Sequence, residues 1–274
     1  VIQNTDSNIP LYHKEDTHWN NLGAYTGHMA LMNMSGKESC PSGNWSIRND
    51  RKGDLADMIY PTAKADDTQV YSDYEYKYKY TGRFRNFDDM TIKTSCEGKT
   101  GNLLMFRDSY GEAILPFMAE CFGTAEFSRI VPYRLDNIGG ENADTLIIEI
   151  VERNIPNLQK YAPLMPAPVV KSLDIKNLTV CNDITINKRE SGNYIHIFGE
   201  LSDEFFKSDN VEIFVTVNGI TYKAFNAFED ELLSRSGESS DNGFSLYIPA
   251  ESGANTDNIT VISINDNGTA VSSQ

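Results

Sequence analysis

Residues 102–123 read NLLMFRDSYGEAILPFMAECFG, and this stretch decides the fold class of the first half of the chain. Asn102 to Phe106 is a short run of the kind that sits buried in a sheet, apolar from Leu103 onward. The segment RDSYG combines turn-compatible residues, and EAILPFMAECF then carries an apolar helical pattern that Gly123 closes. Strand, turn and helix in immediate succession predict an α/β layer. Ser109 falls in that turn, where backbone N–H groups and the helix dipole can stabilise a developing oxyanion. A serine at a strand-to-helix turn is also a common helix cap, so its position alone does not make it a nucleophile.

Upstream, Asn20 to Met34 (NNLGAYTGHMALMNM) has an Asn-rich start, apolar residues at helical spacing and a stop at Gly36, which predicts a helix. Just ahead of it runs DTHWNNLGAY, residues 16–25. In an extended segment residues two apart project to one side, so Asp16 and His18 are expected to face a common site, with the aspartate fixing the histidine tautomer. Of the four histidines, His18 is the best placed base. His13 lacks that spacing, His28 falls inside the predicted helix and His196 belongs to the second half. The competing reading is a core histidine bonded to Asp16 for stability alone. Ser109, His18 and Asp16 together are the hydroxyl, base and orienting carboxylate that nucleophilic acyl chemistry needs.

The stretch VYSDYEYKYKY (70–80) places Tyr74, Tyr76, Tyr78 and Tyr80 on one face of a predicted strand. That face is either a sugar-stacking platform or, as the packing tendency of aromatics favours, a cover for the core. FSRIVPY and TLIIEIV add two candidate strands, the second preceded by the turn residues ENAD. About three convincing buried strands fall short of the roughly five usual in a sheet, so the first half is expected to be N-terminally incomplete.

Near residue 165 the pattern changes. APLMPAPVVK holds three prolines, which favour an extended linker and predict domains over 1–164 and 165–274. Beyond it come short β-branched runs, LDIKNLTV, YIHIFGEL, VEIFVTV, ITYKAF, FSLYI and ITVISI, bounded by Asn, Asp, Gly and Ser. They predict an all-β antiparallel sandwich. Asn218-Gly219 is a two-residue hairpin signal, and Asn267-Gly268 is a candidate repeat of it.

Composition narrows the partners. The 274 residues are 40% hydrophobic, enough for two cored domains. With 39 acidic against 24 basic residues the net charge is −15, a field that repels phosphate backbones and anionic headgroups, so neither nucleic acid nor a membrane surface is an expected partner. Up to residue 164 there are 17 basic and 23 acidic residues, and beyond it 7 and 16, so the acidity concentrates in the sandwich and favours neutral or cationic glycans over uronates as its ligands. No apolar run of about 18 residues exists to span a bilayer. The first residues, VIQNTDSNIP, form neither a basic nor an apolar leader region and lack an initiator Met, as expected of a processed or engineered fragment. The four cysteines show no C-x-x-C pair, so no metal or cofactor is expected, and buried free thiols are favoured over two disulfides.

Four segments carry a family resemblance: LYHKEDTHWNNLGAY (11–25), KGDLADMI (52–59), LLMFRDSYGEAILPFMAECF (103–122) and TLIIEIVERNI (145–155). In this order they resemble the landmarks of the DHHW and alginate-acetyltransferase-like branch of the SGNH hydrolases, in which the Asp-x-His-Trp block precedes the serine block. The resemblance implies a flavodoxin-like three-layer α/β domain with Ser109 as nucleophile, His18 as base and Asp16 as orienting partner. Thr17 stands where the DHHW name has a second histidine, as it does in the alginate-type enzymes. Family members carry a further stretch before this block, with the first strands and often a membrane anchor. The implied reaction is O-acetyl transfer to, or ester hydrolysis from, an extracytoplasmic polysaccharide, with an acyl donor as second substrate. Trp19, Tyr76, Arg107, Tyr110 and Arg134 are the candidate substrate-binding residues, with Arg129 a further cation near the site. The alternative function is a catalytically silent carbohydrate-binding or surface-adhesion protein, motivated by the tyrosine face and the sandwich.

Overall fold

The computed structural model describes residues 9–62, 64–138, 143–206, 210–227, 242–253 and 258–273. It holds mixed sheets with many strands and few helices and divides into two units. The first runs to Ile130 and resumes over Asn137–Glu152, and the second takes Val131–Asp136 and the chain from Arg153. The division thus falls ahead of the residue 164 expected from the prolines. Leu164 is tied backward, donating its N–H to Tyr133 O at 2.8 Å and accepting from the N–H groups of Leu135 and Asp136.

The first unit comprises α1 (Asn21–Met34), β1 (Trp45–Arg51), α2 (Asp54–Ile59), β2 (Asp67–Ser72), β3 (Lys79–Tyr80), β4 (Thr91–Ser95), β5 (Asn102–Phe106), α3 (Gly111–Ala119), β6 (Thr124–Ser128) and β7 (Thr145–Ile148). A five-stranded sheet runs in the order β3-β4-β6-β5-β7. Strand β5 is parallel to both its neighbours, while β4 is antiparallel to β6. That central place explains why Leu103 to Phe106 can all be apolar, each at most 5% exposed. Leu103, Met105, Ile92, Ala125 and Phe127 share one core with Ala24 and Met32 of α1 and Ile114, Leu115 and Met118 of α3. Helix α1 starts where expected, its Asn20 Oδ1 accepting from the N–H groups of Leu22 and Gly23 at 3.0 Å each, a cap worth about 1 kcal/mol.

Three expected strands are displaced. The FSRIVPY strand is instead Thr124–Ser128 and stops before Arg129, and TLIIEIV pairs only over Thr145–Ile148. Glu141 and Asn142 of the ENAD turn lie outside the described residues. The tyrosine stretch is not one strand, since β2 ends at Ser72 and pairing resumes only at Lys79. Between them Glu120, buried at the end of α3, accepts from the Lys77 and Tyr78 N–H groups at 2.8 and 3.1 Å and from the Tyr74 hydroxyl at 3.0 Å. Tyr74, Tyr76, Tyr78 and Tyr80 pack against the core, matching the core-covering reading rather than an open platform.

The second unit is β throughout its sheets. Short helix α4 (Asn157–Lys160) precedes β8 (Val169–Val170), β9 (Asn177–Val180), β10 (Ile184–Ser191), β11 (Tyr194–Leu201), β12 (Val211–Val217), β13 (Ile220–Lys223), β14 (Phe225–Ala227), β15 (Gly243–Pro249), β16 (Ile259–Asn265) and β17 (Thr269–Ser272). Two sheets form, β10-β11-β15-β14 and β8-β13-β12-β16-β17-β9, antiparallel except for the β9–β17 pair. Their core pairs Ile197, Phe244, Leu246 and Ile248 of one with Ile213, Val215, Val217 and Val261 of the other. Asn218 (φ 52°) and Gly219 (φ 80°) make the predicted two-residue hairpin. The second hairpin has a longer loop, because Ile264 pairs with Ala270 across Asn267-Gly268. All four cysteines are free thiols. Among the described residues no helix is long and apolar enough to cross a membrane.

Candidate active site

Asp16 and His18 meet by a different route from the one their spacing implied. Residues 11–20 fold back on themselves rather than run extended. Tyr12 and Trp19 form an isolated antiparallel bridge, and the Asn20 N–H donates to Leu11 O at 3.0 Å. Within this loop the His18 N–H donates to Asp16 Oδ1 at 3.0 Å, a local Asp turn that sets both side chains on one side.

Two carboxylates pin the loop from outside, and one carbonyl of the loop pins it to α2. Asp67 Oδ2 accepts from the Lys14 and Glu15 N–H groups at 2.9 and 2.8 Å. Asp54 accepts from the Thr17 N–H at 2.8 Å and the Thr17 hydroxyl at 2.6 Å. Glu15 O accepts from Leu55 and Ala56 N–H at the start of α2. This approach is so close that a Cβ at Gly53 would stand 1.9 Å from Glu15 O, which makes glycine obligatory there. The segment 52–59 therefore serves as a dock for the Asp-Thr-His loop.

Ser109 is fixed from the other direction. Its turn leaves the C-terminal end of β5, and Asp108 clasps it, accepting from Tyr110 N–H at 2.9 Å through Oδ1 and from Val151 N–H at 2.8 Å through Oδ2. Gly111 opens α3 directly against Arg107, where a Cβ would lie 2.5 Å from the Arg107 Cβ.

The two loops converge in one hydrogen-bonded chain. His18 Nε2 lies 2.7 Å from Ser109 Oγ and His18 Nδ1 2.6 Å from Asp16 Oδ1. The network assigns the proton to Nδ1, which donates to the carboxylate, leaving Nε2 to accept from the serine hydroxyl. Arg51 Nη2 donates to Asp16 Oδ2 at 2.7 Å. Burial alone raises the Asp16 pKa, but the hydrogen bonds from Arg51 and His18 outweigh it and hold the group down at about 2. The Asp16 side chain has no exposure, while that of His18 is 20% exposed, so the acid is sheltered and the base faces the opening. Asp16, His18 and Asp54 also bring three ligand atoms within 4.8 Å of one another. The Arg51 guanidinium already neutralises Asp16, and His18 Nε2 is turned to Ser109, a charge and donor arrangement that suits a proton relay better than a cation.

Above the chain opens a cleft of about 370 Å³ whose lining includes Trp19, Trp45, Tyr71, Tyr76, Tyr110 and Phe117 beside Ser109 and His18. Trp19 Nε1 donates to Tyr110 O at 3.0 Å, and the Tyr110 ring lies 4.9 Å from the His18 ring while its hydroxyl bonds to Thr17 O. Trp19, Tyr76 and Tyr110 thus line the cleft. One expected residue does not. Arg107 is 4% exposed and points beneath the turn, donating to the Phe87 and Asp108 carbonyls, because β5 carries it inward. Arg134 belongs to the second unit and pairs with Asp136 at 2.9 Å. Arg129 pairs with Asp88 at 2.9 Å. Arg51, Asp54 and Asp67 were not singled out from the sequence, since ordinary charged residues 35 or more positions from their partners leave no local signal.

No protein-family model and no curated protein matches the chain. Among solved structures, a DHHW family protein from Eubacterium siraeum DSM 15702 is similar over 53% of this chain and 60% of its own, with 19% identity and a TM-score of 0.43. Bacillus cereus PatB1 is similar over 53% and 63%, with 17% identity and a TM-score of 0.43. PatB1 with a sulfonyl adduct is similar over 53% and 61%, with 15% identity and a TM-score of 0.42. The match spans about three fifths of the length of each of these structures. These neighbours include the DHHW kind that the sequence motifs resemble. At such TM-scores they carry no argument about chemistry, which rests on the geometry above.

Proposed function

We propose that the first unit is an SGNH-type α/β domain in which Ser109, His18 and Asp16 form an acyl-transfer triad, acting as an O-acetyltransferase or acetylesterase on an extracytoplasmic polysaccharide. The observation that carries this reading is the unbroken chain from Ser109 Oγ through both nitrogens of His18 to Asp16, at 2.7 and 2.6 Å. His18 Nε2 takes the hydroxyl proton as Oγ attacks the acyl carbonyl, and the tetrahedral oxyanion forms. The Ser109 N–H has no acceptor among the described residues and stands at the N-terminal end of α3, where it can donate to that oxyanion. The C–O bond to the donor's leaving group breaks as His18 returns the proton to it, leaving acyl-Ser109. A sugar hydroxyl or water, deprotonated by the same nitrogen, then takes the acyl group. Asp16, ionised down to about pH 2, stabilises the imidazolium at each transfer.

The sugar substrate is supported by the sequence resemblance and by the partly buried aromatic lining of the cleft, since aromatic faces suit the C–H faces of a pyranose. The sandwich is read as an accessory unit of the same exported protein. Incubating the full chain with an aryl acetate, alone and with a panel of oligosaccharides, and weighing the products by mass spectrometry tests the proposal. Ser109→Ala abolishes acetyl release and transfer if the triad is right. Full turnover in that variant overturns it, and glycan binding without turnover in either protein favours the silent carbohydrate-binding alternative.

A further inference from the structure

We propose that Glu149 is a positioning residue for Ser109, acting through Asp108 to keep the nucleophile turn within reach of His18. The inference rests on the acyl-transfer reading above. Glu149 follows β7, beside the C-terminal end of β5, and its own N–H donates to Phe106 O at 2.9 Å. Its Oε2 accepts from the Asp108 N–H at 3.1 Å, so its side chain holds the Arg107–Asp108 peptide, one residue ahead of Ser109. Asp108 in turn ties Tyr110 on the far side of the serine and Val151 beyond β7. Ser109 is therefore flanked on both sides by backbone groups whose partners are these two carboxyls.

Two carboxyls this close need a proton between them. Burial first, and the Asp108 charge second, push the Glu149 pKa up to about 8, and the two side chains are within hydrogen-bond reach of each other. Arg107, the cation nearest the pair, offsets this only in part; its guanidinium donates to the Phe87 and Asp108 carbonyls rather than to either carboxyl. At neutral pH the Glu149 acid accepts from the Asp108 N–H through one oxygen while its O–H donates to the Asp108 carboxylate. Above pH 8 the proton is lost, two anions face each other and the clasp loosens.

The experiment is the rate of covalent labelling of Ser109 by a fluorophosphonate, followed by peptide mass spectrometry between pH 7 and 9.5 in wild type, E149Q and E149A. In wild type the rate falls roughly fivefold from pH 8 to pH 9, as the protonated fraction of Glu149 does. E149Q presents the same acceptor and a permanent N–H donor, so it labels within about threefold of wild type at pH 7 and shows no alkaline fall. E149A leaves the Asp108 N–H and carboxylate without these partners and labels at least about tenfold slower at pH 7. Superimposable profiles for wild type and E149Q, or wild-type speed in E149A, overturn the inference. Because E149Q is isosteric, its profile decides the matter even where E149A fails to fold. A wild type that is never labelled at Ser109 overturns the acyl-transfer reading itself, an outcome distinct from labelling that ignores Glu149.

Discussion

The Arg51 guanidinium donates to Asp16 Oδ2 at 2.7 Å, on the carboxylate oxygen opposite the one that holds His18. One buried carboxylate is thereby neutralised on one side and used on the other. Its rotation is fixed, so His18 is held in one tautomer and one orientation. Removing the cation while keeping the stem, as in Arg51→Met, is expected to lower kcat for an aryl acetate about tenfold or more, the loss of one charged hydrogen bond to a sheltered group. Arg51→Lys retains the charge without the fork and falls between. Steady-state kinetics on both variants, with KM little changed, is the check.

Asp16 itself is more critical. Asp16→Asn keeps the shape but presents the amide as a donor or a weaker acceptor, favouring the wrong imidazole tautomer. The expected loss in kcat is about a thousandfold to ten-thousandfold, by analogy with serine hydrolase triads generally. A loss of less than about tenfold, measured under the same conditions, places Asp16 outside the relay.

Acid destabilises both units through buried neutral histidines. Burial lowers the pKa of His28, in the first core, from 6.5 to about 4, and burial with the Arg189 charge does the same to His196 in the second. A histidine whose folded pKa is depressed gives its full stability above pH 6.5 and loses it as the pH falls toward 4, because the unfolded chain takes the proton first. Each contributes a loss of about 2 kcal/mol between pH 7 and pH 5. Urea unfolding at the two pH values reads this directly, and equal midpoints contradict it.

Glu120 replaces a missing strand ladder for the tyrosine segment. Glu120→Ala strands the Lys77 and Tyr78 N–H groups and the Tyr74 hydroxyl and is expected to destabilise the first unit by about 3 kcal/mol. Thermal melts compare it with Glu120→Gln, which keeps an acceptor and loses less.

What the sequence made legible was local. NLLMF announced its place in the sheet because four adjacent residues, Leu103 to Phe106, share one environment, and Asn20 and Asn218-Gly219 declared a cap and a turn through their own backbone chemistry. Ser109, His18 and Asp16 could be picked out because each sits in a short, patterned segment. Strand β10 stayed hidden because its NKRES end is largely exposed, so its alternation carries little apolar signal. Strand β4 turns only Ile92 and Thr94 fully inward. Arg51, Asp54, Asp67 and Glu149 act across folds of the chain, where no periodicity points. The extended reading of residues 16–18 reached the right pairing by the wrong geometry, since a turn and a strand can both bring residues i and i+2 to one side.

Trapping the acyl-enzyme tests the Ser109–His18–Asp16 triad most directly. The full chain is mixed with an aryl acetate, quenched in acid within milliseconds to seconds and digested for mass spectrometry. The triad requires acetyl on Ser109 in wild type, far slower accumulation in His18→Ala, and none at that position in Ser109→Ala. A wild type that turns over the ester without acetylating Ser109, or that carries the acetyl on another residue, contradicts it.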